Sequence, residues 1–249
     1  MTDTQSAAAT SGQDWASLAG RLATVLKLSA PPVAISFLEG QPAPVARFAG
    51  GLAEPNEHGR TGAVSAGCVF WMKSVDQTFA TIAEDHANCS VGSYTHGLLS
   101  LEAAATRDDI AAVLASGWVS LEAFKALPKV SGNPETIVYG PLADAQGEPD
   151  VVLVRLSPLG MMLLRDAFPN MSIEGKPQCH IVAIAKEQGV AVASVGCALS
   201  RARTGMKAEE GTAAIPGDRL AEIVATLEGT ADLDWSMARY AAADAKRFG

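Results

Sequence analysis

The chain has 249 residues, 48% of them hydrophobic and only 18% charged, with a net charge of −8. That length suits one large domain or two intimately packed halves, and the charged fraction lies below the roughly 25% of an average domain. A sizeable core and an additional buried interface follow, hence an expected homodimer. The acidic balance, with no Lys/Arg cluster, argues against nucleic acid and anionic membranes as partners.

The first residues, MTDTQSAAATSGQD, lack the basic region and apolar run of a secretion signal. No stretch approaches the roughly 20 apolar residues of a membrane span. The expected address is cytoplasmic, where thiols stay reduced. Residues 1–13 are small and polar and are expected to form a disordered tail. Asp14 can cap a helix over WASLAGRLATVLKL, stopped by Pro31 and Pro32, and Val33–Leu38 reads as a strand. A Pro- and Gly-rich excursion from Gly40 to Gly62 is of the kind that borders sites.

After a first cysteine-bearing stretch come helices over 98–105 and 106–116, the second with Thr106 as its cap, and another over 120–127. Thr136–Tyr139 and Val151–Leu156 read as a hairpin turning at Gln146-Gly147. LGMMLLRDAF reads as a helix, and a second cysteine stretch follows. The tail offers TAAIPG, a helix ending at Gly229, and a last helix over DWSMARYAAADAKRF.

The four cysteines carry the organisation. In GCVFWMKSVDQTFATIAEDHANCSVG and in QCHIVAIAKEQGVAVASVGCALS, a cysteine opens a helix-like run and a Gln and short β-rich run follow. A second cysteine then starts another helix, 21 residues on in the first copy and 18 in the second. PVAISFLEG and PDVVLVRLSP precede the two copies in matching positions. The predicted fold is α/β or α+β, with two pseudo-symmetric strand–helix–strand halves, about 14–118 and 119–249, packed into one domain.

Thiolates hold iron–sulfur clusters and also suit zinc. No CxxC knuckle is present, so any site shared by Cys68, Cys89, Cys179 and Cys197 must be assembled by tertiary structure. Structural zinc staples small loops, and a domain with this much core has little need of it. A [4Fe–4S] cluster between two halves fits the placement. The plainer reading, four reduced core cysteines, stays open.

With these residues in view, the chain resembles domain-of-unknown-function family 169, the uncharacterised ArCR-type proteins. The resemblance rests on PVAISFL, Cys68 opening a helix, EDHANCSVG ending its match at Cys89, Cys179 starting a helix, SVGCALSRARTG and the downstream IPG at 215–217. It spans about residues 30–225, and implies a fold and a cysteine framework but no reaction. The chain departs from the pattern between Gly40 and Gly62 and directly after Cys89 and Cys197.

Around the cysteines, Arg201 is the candidate to orient a substrate carboxylate or offset cluster charge, with Arg203 read as a surface residue. His86 and His96 are the candidates for proton transfer, and His180 adjoins Cys179. Glu84-Asp85 reads as a turn and Trp71 and Met161-Met162 as packing, while Tyr94 reads equally as a donor to a substrate oxygen and as a structural tyrosine. The absence of GxSxG, HExxH and an EF-hand loop removes those reaction classes. The expectation is a cytoplasmic iron–sulfur protein acting on a small organic acid by redox or Lewis-acid, lyase-like chemistry, with a redox partner protein. The alternative is a metal-free or zinc-stapled module that binds a small ligand without catalysis; haem also stays open.

Overall fold

The structure, a computed structural model, describes residues 13–40, 43–49, 67–86, 89–117, 119–174 and 178–248. The expected tail over 1–13 and most of the 40–62 excursion therefore lie outside the described residues. Helix α1 (Trp15–Leu26) begins at Asp14, whose carboxylate accepts the Ser17 N–H at 2.9 Å. It ends before the prolines, where Lys27 turns left-handed with φ 51°. Strand β1 (Val33–Leu38) follows with the bounds expected from its sequence.

The first cysteine stretch folds as α2 (Gly67–Lys73), β2 (Phe79–Thr81), a 3-10 turn at Ala83–His86 and α3 (Ser90–Thr95). Three short helices come next: α4 (Leu101–Ala105), α5 (Asp108–Ala115) and α6 (Leu121–Lys125). Thr106 does not cap α5; its hydroxyl donates to the Ala103 carbonyl at 3.0 Å and so closes α4 instead. Then come β3 (Thr136–Pro141), β4 (Val151–Leu156), α7 (Pro158–Ala167) and β5 (Ser172–Glu174). The second cysteine stretch gives α8 (Gln178–Gln188), β6 (Val192–Ser194) and α9 (Ala198–Thr204), and β7 (Gly211–Pro216) and α10 (Leu220–Ala245) complete the chain.

The strands form one mixed sheet in the order β2-β3-β1-β4-β7-β6-β5, antiparallel except at β5–β6. The expected hairpin between β3 and β4 does not form. β1 lies between them and pairs with both, Ile35 opposite Tyr139 and Val33 opposite Leu153. The segment between β3 and β4 is long enough to step over β1, and β1 brings apolar residues to both faces of the sheet. Matching β1, β2 and β3 with β4, β6 and β7 makes the strand order read alike from either side of the β1–β4 junction. The expected boundary near 118 would cut β3 away from β1 and β2, the strands it pairs with.

Both faces of the sheet are covered, so its strands are apolar at both parities instead of alternating. On one face Ala34, Val152, Val154, Ala213 and Ile215 pack under α1, α7 and α10. On the other, Val33, Ile35, Val151, Leu153 and Ala214 pack with residues of α2 and α8, including Cys68 and Cys179. The fold is a mixed helix–sheet–helix sandwich of the α+β kind.

The last two expected helices are one, because α10 runs unbroken through Gly229. Leu220, Ile223, Val224, Leu227 and Ala231 bury its first half, and that packing carries the helix across a residue that weakens helices. Gly229→Ala is expected to raise the unfolding free energy by about 0.5–1 kcal/mol, since a Cβ there meets no atom within 4 Å. Gly217→Ala should cost about 3 kcal/mol or more, because its Cβ would fall 1.7 Å from the Pro149 carbonyl oxygen. Urea unfolding of both variants checks the pair, and destabilisation by Gly229→Ala would speak for a break in α10.

Candidate functional site

All four cysteines sit at helix starts. Cys68 and Cys179 are the second residues of α2 and α8, and Cys89 and Cys197 are the N-caps of α3 and α9. Cys197 takes the part that Ser or Thr usually plays. Its sulfur accepts the Ser200 N–H at 3.3 Å while Ser200 Oγ accepts the Cys197 N–H at 3.1 Å, a capping box closed by a thiol. Between Cys89 and Cys179 the chain places Gly92, where a Cβ would stand 3.1 Å from Cys89 Sγ and 3.9 Å from Cys179 Cβ. A side chain there would fill the space the two cysteines share.

The four thiols are free, and all six pairings among them are close enough for charge on one to raise another's pKa. Burial is the larger influence. It pushes Cys68 up to about 12 and drives Cys89 and Cys179 upward as well. Against it, the Arg203 guanidinium lowers Cys68 and Cys89, Gly92 lowers Cys89 through its backbone, and the Thr95 hydroxyl lowers Cys179. Those three thiols are accordingly protonated at neutral pH. A bound metal centre inverts that balance, because the thiolate is the ligand form.

Among the described residues, no three His, Cys, Asp or Glu side chains are gathered closely enough for one metal ion. A cubane places its thiolates on separate iron atoms, further apart than donors around a single ion. The donor set fits such a group, with four sulfurs and a nearby guanidinium to offset their charge.

His86 and His96, the two candidates for proton transfer, lie with ring centroids 6.3 Å apart. His86 Nε2 meets Thr81 Oγ1 at 2.9 Å, and Thr81 donates its only proton to the Ile137 carbonyl at 3.3 Å. That arrangement assigns the imidazole proton to Nε2 and leaves Nδ1 a bare lone pair. Gly67, beside Cys68, leaves room for it, since a Cβ there would come 3.1 Å from Nδ1. Among the described residues, His86 Nδ1, both nitrogens of His96 and the Tyr139 hydroxyl are buried without a hydrogen-bond partner. Tyr139 stacks on Phe70 at 5.8 Å and is itself pushed up by burial and by Cys68. Each such orphan costs about 1–3 kcal/mol unless it is satisfied.

Arg201 is not brought to the thiols. Its guanidinium donates to the carbonyls of Val195, Glu210, Lys207 and Ala208 and touches Met206 Sδ, which ties down the turn after α9. Arg203, two residues on, faces the cysteines in its place. The sequence signal was present in the SRAR run, but only the helix phase of α9 distinguishes the two arginines. Asp85 is held by Arg47 through two hydrogen bonds of 2.9 Å, and Tyr94 stacks on Phe124 at 4.9 Å, both structural roles.

A helix–sheet–helix sandwich with four cysteines at four helix starts on one face defines the class of protein. The chain belongs to domain-of-unknown-function family 169, described as uncharacterised ArCR, whose model matches residues 21–226. No match was found among curated proteins or among solved structures.

Burial holds His96 and His180 down at about 4, well below the ordinary 6.5. The Cys179 backbone faces His96 and partly offsets this, although neither ring nitrogen meets it in hydrogen-bond geometry. Unfolded chains protonate these rings near 6.5 and the folded one only near 4. The stability they confer is complete above pH 6.5 and is lost as pH falls towards 4. In metal-free protein the urea midpoint should fall across that window, and less so in His96→Phe; a midpoint unchanged from neutral pH into the acid range would contradict this.

Proposed function

We propose that Cys68, Cys89, Cys179 and Cys197 hold a [4Fe–4S] cluster, and that the protein acts beside it on a small organic acid by redox or Lewis-acid, lyase-like chemistry. The observation that carries this reading is the convergence of cysteine-bearing helix starts, with Cys68, Cys89 and Cys179 packed in one core cluster and Gly92 leaving space between two of them. When bound, such a cluster supplies electron transfer or, with only three thiols engaged, a Lewis-acid iron. The chain's own residues do the rest. Arg203 offsets thiolate charge, a part first given to Arg201. His86 offers its bare Nδ1 as a proton acceptor, with His96 next to it, inside aromatic walls that exclude water. A cytoplasmic location and a redox partner protein belong to the same reading.

Protein purified without oxygen should be brown, with broad absorption at about 400 nm and about four irons per chain, and should give an electron paramagnetic resonance signal when reduced. Cys→Ser changes at the four positions should each lower iron content. Gly92→Ala should do so by crowding Cys89, and Arg201→Met should leave iron content unchanged. A colourless, iron-free protein overturns the reading, and stoichiometric zinc would replace it with the zinc-stapled binding module.

The reading includes a homodimer. The second half of α10 exposes Leu233, Met237 and Tyr240, and Phe248 lies exposed just beyond it. An isolated helix end of this length is marginal in water without a partner surface. An antiparallel pairing of two copies about the Tyr240–Ala241 midpoint directs Leu233 towards the partner's Phe248 and Asp234 towards the partner's Arg247, joining apolar with apolar and opposite charges. Sedimentation should show a dimer that Tyr240→Glu converts to monomer, and a wild-type monomer would dismiss it.

A further inference from the structure

A cavity of about 110 Å³ lies behind the cysteine face, bounded by α2, the start of β1, the middle of β4, β7 and the end of α9. Val33, Met72 and Leu153 give it apolar walls, and Trp71, Arg155 and Thr212 also line it. Among the described residues, the Trp71 indole Nε1 and the Thr212 hydroxyl are both buried without a hydrogen-bond partner. Arg155 donates to the Thr204 carbonyl at 2.9 Å and stands 3.9 Å from Glu210 Oε2. That carboxylate is already engaged by the Ser29 hydroxyl at 2.6 Å and the Lys207 N–H at 3.0 Å, so it offsets the Arg155 charge only from a distance.

An indole N–H and a guanidinium can only donate, and a hydroxyl can do so. Three donors and one incompletely compensated positive charge are the complement of a carboxylate. The apolar walls are the complement of a short hydrocarbon tail. Water occupies about 30 Å³ in the liquid, so the cavity has the space of about four waters, enough for an acid of roughly four to six heavy atoms. A tetrahedral inorganic anion would leave the apolar walls unused.

We propose that this cavity binds a short-chain monocarboxylate of the acetate–propionate–butyrate class, its carboxylate on Arg155, Trp71 and Thr212 and its tail against Val33, Met72 and Leu153. Trp71 shares α2 with Cys68, and Thr204 shares α9 with Arg203. Occupancy therefore touches both helices that carry the thiol site. The proposal gives a chemical class to the small organic acid of the proposed function, and it stands on the cavity whether or not the thiols hold iron.

The test titrates the full chain, iron-free and iron-loaded, with sodium acetate, propionate and butyrate by calorimetry, with inorganic phosphate as the control. Binding is read in parallel from the Trp71 indole N–H resonance, identified by its loss in Trp71→Phe. One saturable site per chain is expected in both forms, with that resonance shifting. Arg155→Met should weaken propionate at least tenfold. Thr212→Val, nearly isosteric and so a safeguard if the arginine variant misfolds, should weaken it severalfold. No saturable binding of any of the three acids, binding that ignores both substitutions, or phosphate binding more tightly than propionate would each overturn the proposal. Propionate binding by a protein that takes up no iron would sink the cluster alone, and iron uptake without propionate binding would sink the pocket alone.

Discussion

Burial drives the Cys68, Cys89 and Cys179 thiols towards their protonated form, and any charge placed on one of the four raises the pKa of its neighbours. Four sulfurs sharing one poorly solvated neighbourhood are a costly place for negative charge and a favourable one for a positive centre. The surrounding chemistry follows from that constraint. Arg203 faces the thiols, Gly92 keeps side-chain bulk from between two of them, and Cys197 is fixed by a capping box.

The sheet makes the convergence possible. With β1 paired to both β3 and β4, the strands that precede the two cysteine stretches lie side by side and antiparallel. The cysteine-bearing helices α2 and α8 are laid on one face of this sheet, so cysteines remote in sequence reach one place. The opposite face is closed by α1, α7 and α10, which bury the other parity of the same strands. A sheet buried on both faces admits little rearrangement, which holds the helix starts where they are.

Trp71 links the buried histidines to the small cavity, since its ring centroid is 6.3 Å from that of His96 and it also lines the cavity. The histidine side offers neutral imidazoles and a phenol, the cavity a guanidinium and two further donors.

Much was written in the chain itself. The bounds of β1, the Asp14 cap and the helix starts at all four cysteines follow from local rules of capping, periodicity and spacing. The pairing of β3 and β4 with β1 instead of with each other could not be read there, because strand neighbours are chosen by burial on both faces of a sheet. Nor could the passage of α10 through Gly229, where packing against the core outweighs a local preference for a break, or the exchange of Arg201 for Arg203. Both arginines fit the same short motif; one finds four backbone carbonyls in a turn and the other finds the thiols. Local sequence sets what each segment can be, and long-range packing alone decides which side chains meet.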